Sequence, residues 1–151
     1  ESNVDPKRLG RLQVSVPAVL GDGRSSGAMP CVPYAGPKVG FFLLPPKGAN
    51  IWVEFEGGDP DYPIWSGCFW GDGEAPQPTE AGNKIIQTDV CTLTLSDLPK
   101  SKGITLETKS GSTTLKIVMD RDGIELYSGE KSTIKLDGQK VSINDDGLEI
   151  T

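Results

Sequence analysis

A chain of 151 residues with 21 acidic and 15 basic side chains carries a formal net charge of −6, so it lacks the cationic surplus with which nucleic-acid binders neutralise phosphate. It has no histidine, which excludes the usual Ser-His and Cys-His dyads, the commonest general base at neutral pH and the usual zinc sites. Nineteen glycines and twelve prolines interrupt short runs rich in aliphatic, Thr and aromatic residues. Without a sustained 3.6-residue apolar stripe, this pattern excludes a helical fold and predicts many short strands.

The length accommodates one ordinary domain, or a small domain with an elongated appendage, and composition favours the second. No apolar run is long enough to span a bilayer, and there is no secretory signal pattern. The chain opens on Glu1 rather than Met, which predicts a fragment or a processed product. Leu12 to Val16 alternates apolar and polar residues before Pro17 ends the run, which predicts a first strand with one buried face. Gly21 to Gly27 is too polar and flexible to pack and is expected to be a long exposed loop. Met29 to Tyr34 is a second, proline-interrupted strand at an edge or bend. Gly40 to Leu44 and Asn50 to Glu56 are expected to pair around Pro45-Pro46-Lys47-Gly48, and Ile64 to Trp70 supplies a fifth strand.

Within the fourth strand, Ile51, Val53 and Phe55 share the face expected to fill the core, while Trp52, Glu54 and Glu56 share the other. The fifth strand is expected to place Ile64, Ser66 and Cys68 on one face and Trp65, Gly67 and Phe69 on the other. Between these strands, Gly57-Gly58-Asp59-Pro60-Asp61-Tyr62-Pro63 is a turn cluster in which Asp59 can form an Asx-turn. Cys31, Cys68 and Cys91 are odd in number and have no CxxC spacing. They are expected to be buried, reduced thiols.

The run Arg8-Leu9-Gly10-Arg11-Leu12-Gln13-Val14-Ser15-Val16-Pro17, the stretch from Gly40 to Gly71 and its Gly-Asp-Pro-x-x-Pro signature resemble the phage baseplate assembly protein V and VgrG group of contractile-tail spike proteins. The resemblance covers roughly the first half of the chain. It implies a five-stranded OB-fold barrel over residues 1–72.

Residues 73–83 are poor in apolar residues and rich in turn formers, and are expected to be a linker. From 84 to 151 the pattern becomes repetitive: Lys84 to Gln87, Thr92 to Leu95, Gly103 to Glu107, Thr114 to Val118, Gly123 to Tyr127, Ser132 to Leu136, Lys140 to Ile143 and Gly147 to Thr151 each alternate aliphatic and polar residues. Gly103-Ile-Thr-Leu-Glu, Gly123-Ile-Glu-Leu-Tyr and Gly147-Leu-Glu-Ile-Thr are its clearest copies, and Asp122-Gly123, Asp137-Gly138 and Asp146-Gly147 punctuate it as tight turns. Two apolar residues per strand give each strand only one narrow apolar edge. Burial at ~25 cal/mol per Å² then falls short of roughly 1–2 kcal/mol of backbone entropy per ordered residue. Such a tail needs lateral partners, either further copies of the chain or the first domain, on which it would pack as a second antiparallel β-domain or a solenoid. The resemblance implies three copies, wound into an intertwined β-helix or β-prism.

The fold class expected is therefore all-β, an OB-fold barrel followed by an elongated trimeric spike. The expected function is mechanical: a needle and collar joining a baseplate hub to a membrane-piercing tip in a phage virion or contractile injection particle. The resemblance implies a homotrimer, baseplate hub and tube proteins, a PAAR-type tip protein at the C-terminal end and a target cell envelope as partners. It also implies that the hub domain carried by many members is another chain or has been removed. Interface residues are expected at Phe41, Phe42, Trp52, Trp65 and Trp70 for barrel packing and neighbouring subunits. Ile104, Leu106, Leu115, Ile117, Ile124, Leu126, Ile134 and Leu136 are expected to line the needle interior.

No catalytic residue, cofactor or metal ligand is expected. The carboxylate pairs Asp59 with Asp61 and Asp145 with Asp146 sit in turn-like sequence, where solvated turn residues are the simpler reading. The alternative function is an OB-fold module that stacks single-stranded nucleic acid or an oligosaccharide on Phe41, Phe42, Trp52, Trp65, Phe69 and Trp70. Against nucleic acid stand Glu54 and Glu56, on the same strand face as Trp52.

Overall fold

The computed structural model describes residues 1–101, 103–129, 132–144 and 147–150. The chain divides into two compact units, Glu1–Ala75 and Pro76–Thr151.

Unit 1 begins with β1 (Leu12–Val14), whose Leu12 and Val14 are buried and whose Gln13 is exposed. Pro17 starts a four-residue helix, α1 (Pro17–Leu20), as its fixed φ and missing donor permit at a first turn. The predicted strand end at Val16 is thus two residues too late. β2 (Ser26–Pro30) starts inside the stretch expected to be loop and stops at the first proline, since Pro30 and Pro33 cannot both sustain a ladder. β1 and β2 are antiparallel, with Leu12 opposite Ala28.

The strand expected over Gly40 to Leu44 does not form. A short hairpin of β3 (Ala35–Gly36) and β4 (Val39–Gly40) precedes it. Residues 41–49 are then irregular. Pro45 and Pro46 remove two ladder donors and restrict the residue before them, which breaks the run.

β5 (Asn50–Phe55) and β6 (Pro63–Phe69) pair antiparallel, and β6 also lies parallel to β2, giving the sheet order β1-β2-β6-β5. The β5–β6 register shifts between Trp52 and Val53: Trp52 faces Gly67, whereas Val53 faces Trp65, leaving Ser66 as an extra residue. The period of side-chain alternation changes sides at such a bulge. Trp65 therefore enters the core with Val53, and Phe69 comes out beside Trp52, a correction to the expectation that Trp65 and Phe69 share a face. The core consists of Leu12, Val14, Ala28 and Trp65, with Val16, Val32, Leu44, Ile51 and Val53 packed against it.

Unit 2 is one antiparallel meander of eight strands, each bonded to the next in sequence: β7 (Asn83–Gln87), β8 (Cys91–Ser96), β9 (Ile104–Ser110), β10 (Thr113–Asp120), β11 (Gly123–Ser128), β12 (Ser132–Asp137), β13 (Lys140–Ile143) and β14 (Leu148–Ile150). They correspond in order to the eight alternating runs of the sequence. In two of the clearest repeats, the leading glycine is where a neighbouring strand comes closest. A Cβ on Gly103 would lie 2.6 Å from the Met119 carbonyl oxygen, and one on Gly123 would lie 1.9 Å from that of Leu136. No side chain fits there, and both glycines also hold positive φ. The turn expected at Asp146-Gly147 involves Asp146, which lies outside the described residues, as do Asp145 and Thr151.

Candidate functional site

Among the described residues, the meander of unit 2 presents an apolar face that no other strand of the unit covers. Register lines its residues up in rows across the strands. One row runs Ile117, Leu126, Ile134, Ile143 and Leu148, and another runs Met119, Ile124, Leu136 and Val141. On the first strands, Ile86, Leu93 and Leu106 form one line and Leu95 with Ile104 another. All eight predicted interior residues carry exposed side chains: Ile104, Leu106, Leu115, Ile117, Ile124, Leu126, Ile134 and Leu136 lie between 37% and 48% exposed in the single chain. The prediction omitted Ile86, Leu93, Leu95, Met119, Val141, Ile143 and Leu148. Their strand alternation was visible in the sequence, but membership of a row depends on register.

The other face of the meander is mainly polar, with Ile85, Val118 and Tyr127 among its residues. Glu107 Oε1 and Oε2 receive Lys109 Nζ at 3.4 Å and Lys116 Nζ at 3.6 Å, Glu125 faces Lys135, and Thr94 faces Thr105. Among the described residues of unit 2, only Val118 is a buried hydrophobe. The sheet thus has a mainly polar and an apolar side, and the described strands of unit 2 form no second layer over the apolar side. Cross-strand apolar neighbours supply part of each residue's burial. Covering the remainder is worth roughly 1 kcal/mol per residue, about half the value of burying a whole Leu or Ile side chain.

In unit 1 the five predicted aromatics have different fates. Trp65 is 5% exposed, and its Nε1–H donates to the Gly10 carbonyl at 3.1 Å, so it belongs to the unit's own core. Phe41 and Phe42 line an open cleft of about 430 Å³ together with Arg8, Tyr34, Lys38 and Trp65. Trp52 and Trp70 stand on the surface. The Trp52 ring lies 4.9 Å from that of Phe69 at 39°. On its strand face Trp52 has the exposed Glu54 as a neighbour, which is the wrong charge for a phosphate-tracking groove.

A polar feature missed at the sequence level anchors the start of unit 1. The Asp5 carboxylate accepts hydrogen bonds from the backbone N–H groups of Lys7 (3.0 Å), Leu9 (2.7 Å) and Arg11 (3.3 Å), and from Arg11 Nε (3.1 Å) and Nη2 (2.7 Å). The Arg11 guanidinium, aided by the backbone donors and opposed by desolvation, holds the Asp5 carboxyl well below the usual carboxylate range. The signal in the sequence was an Asp-Pro pair followed by Arg six residues after the Asp, which is too common to single out.

Asp59 Oδ1 accepts from the Asp61 N–H at 3.0 Å, the Asx-turn anticipated there, while Asp145 and Asp146 lie outside the described residues. Among the described residues no group of His, Cys, Asp and Glu gathers as a metal site. Cys31, Cys68 and Cys91 are free thiols, but all three are exposed, against the expectation of burial. The core of unit 1 ends before Cys31 and Cys68, and a single sheet gives Cys91 no interior to enter.

Residues 1–70 match the family model of the type VI secretion system/phage-baseplate injector OB domain. Residues 83–149 match that of the phage baseplate V C-terminal trimerisation domain. No curated protein matches the chain.

Proposed function

We propose, since the chain belongs to the phage baseplate assembly protein V and VgrG-like family, that this baseplate structural protein is the central spike of a contractile injection apparatus. Three copies would pack the apolar faces of unit 2 around one axis, with Ile104, Leu106, Leu115, Ile117, Ile124, Leu126, Ile134 and Leu136 inside. The polar faces, with their Glu-Lys pairs and threonines, would remain in water. Such an arrangement converts eight short strands with one dry side into a stiff rod without exposed apolar area. In unit 1, Trp65 serves the packing of the barrel, while Phe41, Phe42, Trp52 and Trp70 serve contacts with neighbouring subunits.

The observation that carries this reading is the uncovered apolar face of a meander that matches a trimerisation domain. That match supports a homotrimer. The role in contraction assigns unit 1 to a collar under the baseplate hub and tube, with residues 73–83 as the link to the spike. The C-terminal end of unit 2 would face a PAAR-type tip protein and, through it, the target envelope. The particle would be a phage virion or an injection machine, and its work requires stiffness, with no catalytic group or cofactor.

Absolute mass in solution, measured by light scattering across a concentration series, tests the reading. A stable species near three times 16.1 kDa is expected. A monomer at all concentrations would overturn it, because the dry face of unit 2 would then have to be tolerated in water.

A further inference from the structure

We propose that the cleft of unit 1 beside the β3–β4 hairpin binds an acidic, apolar peptide segment of a protein other than this chain, with Arg8 and Lys38 as the groups that select it. This rests on the reading of Phe41 and Phe42 as contact residues and names what their partner brings. It does not depend on the trimer, since every lining residue belongs to one chain. Gly10 and Trp65 are buried, and the Trp65 Nε1–H ties them together through the Gly10 carbonyl. Tyr34, Phe41 and Phe42 are between 55% and 70% exposed. The Phe41 N–H donates to the Tyr34 carbonyl at 2.9 Å, and the two rings meet edge to face, 6.4 Å apart at 77°. The cleft is therefore formed before a ligand arrives, which lowers the cost of binding.

Charge selects the occupant. The chain carries a net charge of −6, yet from Gly23 to Val53 it has Arg24, Lys38 and Lys47 and no acidic residue, and neither Asp nor Glu lines the cleft. Arg8 and Lys38 line it and are exposed, and neither has an ion pair among the described residues. Asp5, the acid nearest Arg8 in sequence, is taken by Arg11. Both cations hold a left-handed backbone, with φ 54° at Arg8 and 64° at Lys38, and they are the non-glycine residues of unit 1 that do so. A glycine would adopt that conformation without strain, and strained positions collect at ligand clamps. Two unpaired cations beside aromatic and aliphatic surface match carboxylates that flank an apolar side chain. A small molecule fits less well, because pockets for such ligands enclose most of their surface and here the three aromatics are more than half in water. A peptide also spreads onto the rim at Val39 and Leu43, both exposed, and contiguous exposed apolar surface of this kind marks protein contacts.

NMR titration of the full chain with the peptide acetyl-Glu-Leu-Asp-Phe-Glu-amide tests this, read at the Gly10 and Phe41 amides and at the Trp65 indole N–H. The protein has three tryptophans, so Trp52→Phe with Trp70→Phe assigns the Trp65 signal. These signals should shift and saturate at submillimolar peptide, in the trimer and in a Leu126→Asp monomer alike, and the affinity should fall as salt rises. Arg8→Gln and Lys38→Gly should each weaken binding by ~5-fold. Lys38→Gly removes charge and strain together, so its melting temperature should be unchanged or raised; a variant that melts lower and binds as before overturns the role given to Lys38. Equal binding of the uncharged analogue Gln-Leu-Asn-Phe-Gln overturns the choice of an acidic partner. Binding by the monomer but not by the trimer overturns it in favour of a copy of this chain in the cleft, and shifts with dodecanoate but not with peptide do so in favour of a small amphiphile. No shift at millimolar peptide in either form overturns the cleft as a docking site and leaves the trimer to stand on its mass. Peptide binding by a wild-type chain that proves monomeric supports the cleft and overturns only the trimer.

Discussion

Asp5 organises the first eleven residues by offering one carboxylate to three backbone donors and the Arg11 fork. Because its folded pKa is depressed, its contribution is fully present above the ordinary Asp value near 3.9 and is lost as pH falls through the folded value. Asp5→Asn should lower the melting temperature of unit 1 at neutral pH, and the gap to wild type should close on acidification below about pH 4. Melting curves of both proteins across that range check this, and a gap that persists or widens in acid would refute the assignment. At Gly123, the added methyl of Gly123→Ala would lie 1.9 Å from the Leu136 carbonyl oxygen. The strand pair β11–β12 must open to admit it, so a loss on the order of 2–4 kcal/mol is expected. Denaturant unfolding of the variant measures this, and an unchanged midpoint would show that the close approach is absent.

Strands in the two units obtain their burial in opposite ways. β1, β2, β5 and β6 turn alternate residues toward one shared core, and the bulge in β6 decides which aromatic enters it. The strands of unit 2 have matched rows of apolar residues but no opposing layer among the described residues of that unit. At the first edge of the meander, Lys84 stands opposite Leu95 and pairs with Asp97. A charge at this position discourages another strand from adding to the open edge. Leu126 lies in the middle of one row, between Ile117 and Ile134. Leu126→Asp places an unpaired carboxylate where the three faces would meet, at a cost of several kcal/mol per copy. The variant should run as a monomer in light scattering; a trimer with unchanged melting would refute the interior assignment.

The whole molecule joins a small unit that completes its own core to a sheet that does not. Its all-β character, the eight strands of the second half and their apolar alternation were legible in the sequence, because period-2 patterning and Asp-Gly or Gly-rich punctuation are local signals. The Gly-Asp-Pro-x-x-Pro turn and the apolar run from Gly40 to Gly71 likewise carried the family resemblance that the matches to residues 1–70 and 83–149 bear out. Local signals were weaker where prolines compete with a ladder, hence the strand wrongly expected over Gly40 to Leu44. They could not foresee Ser66 as a bulge, since nothing in a single strand records the register of its partner. The burial of Trp65, the exposure of Phe69 and of the three cysteines, and the anchoring of Asp5 by groups up to six residues away were likewise decided only in three dimensions. The sequence by itself determined which residues are apolar and with what period, because those are properties of the chain's own neighbours. Only the tertiary structure decided which of them face a core and which still lack a partner, because that depends on how distant strands pair.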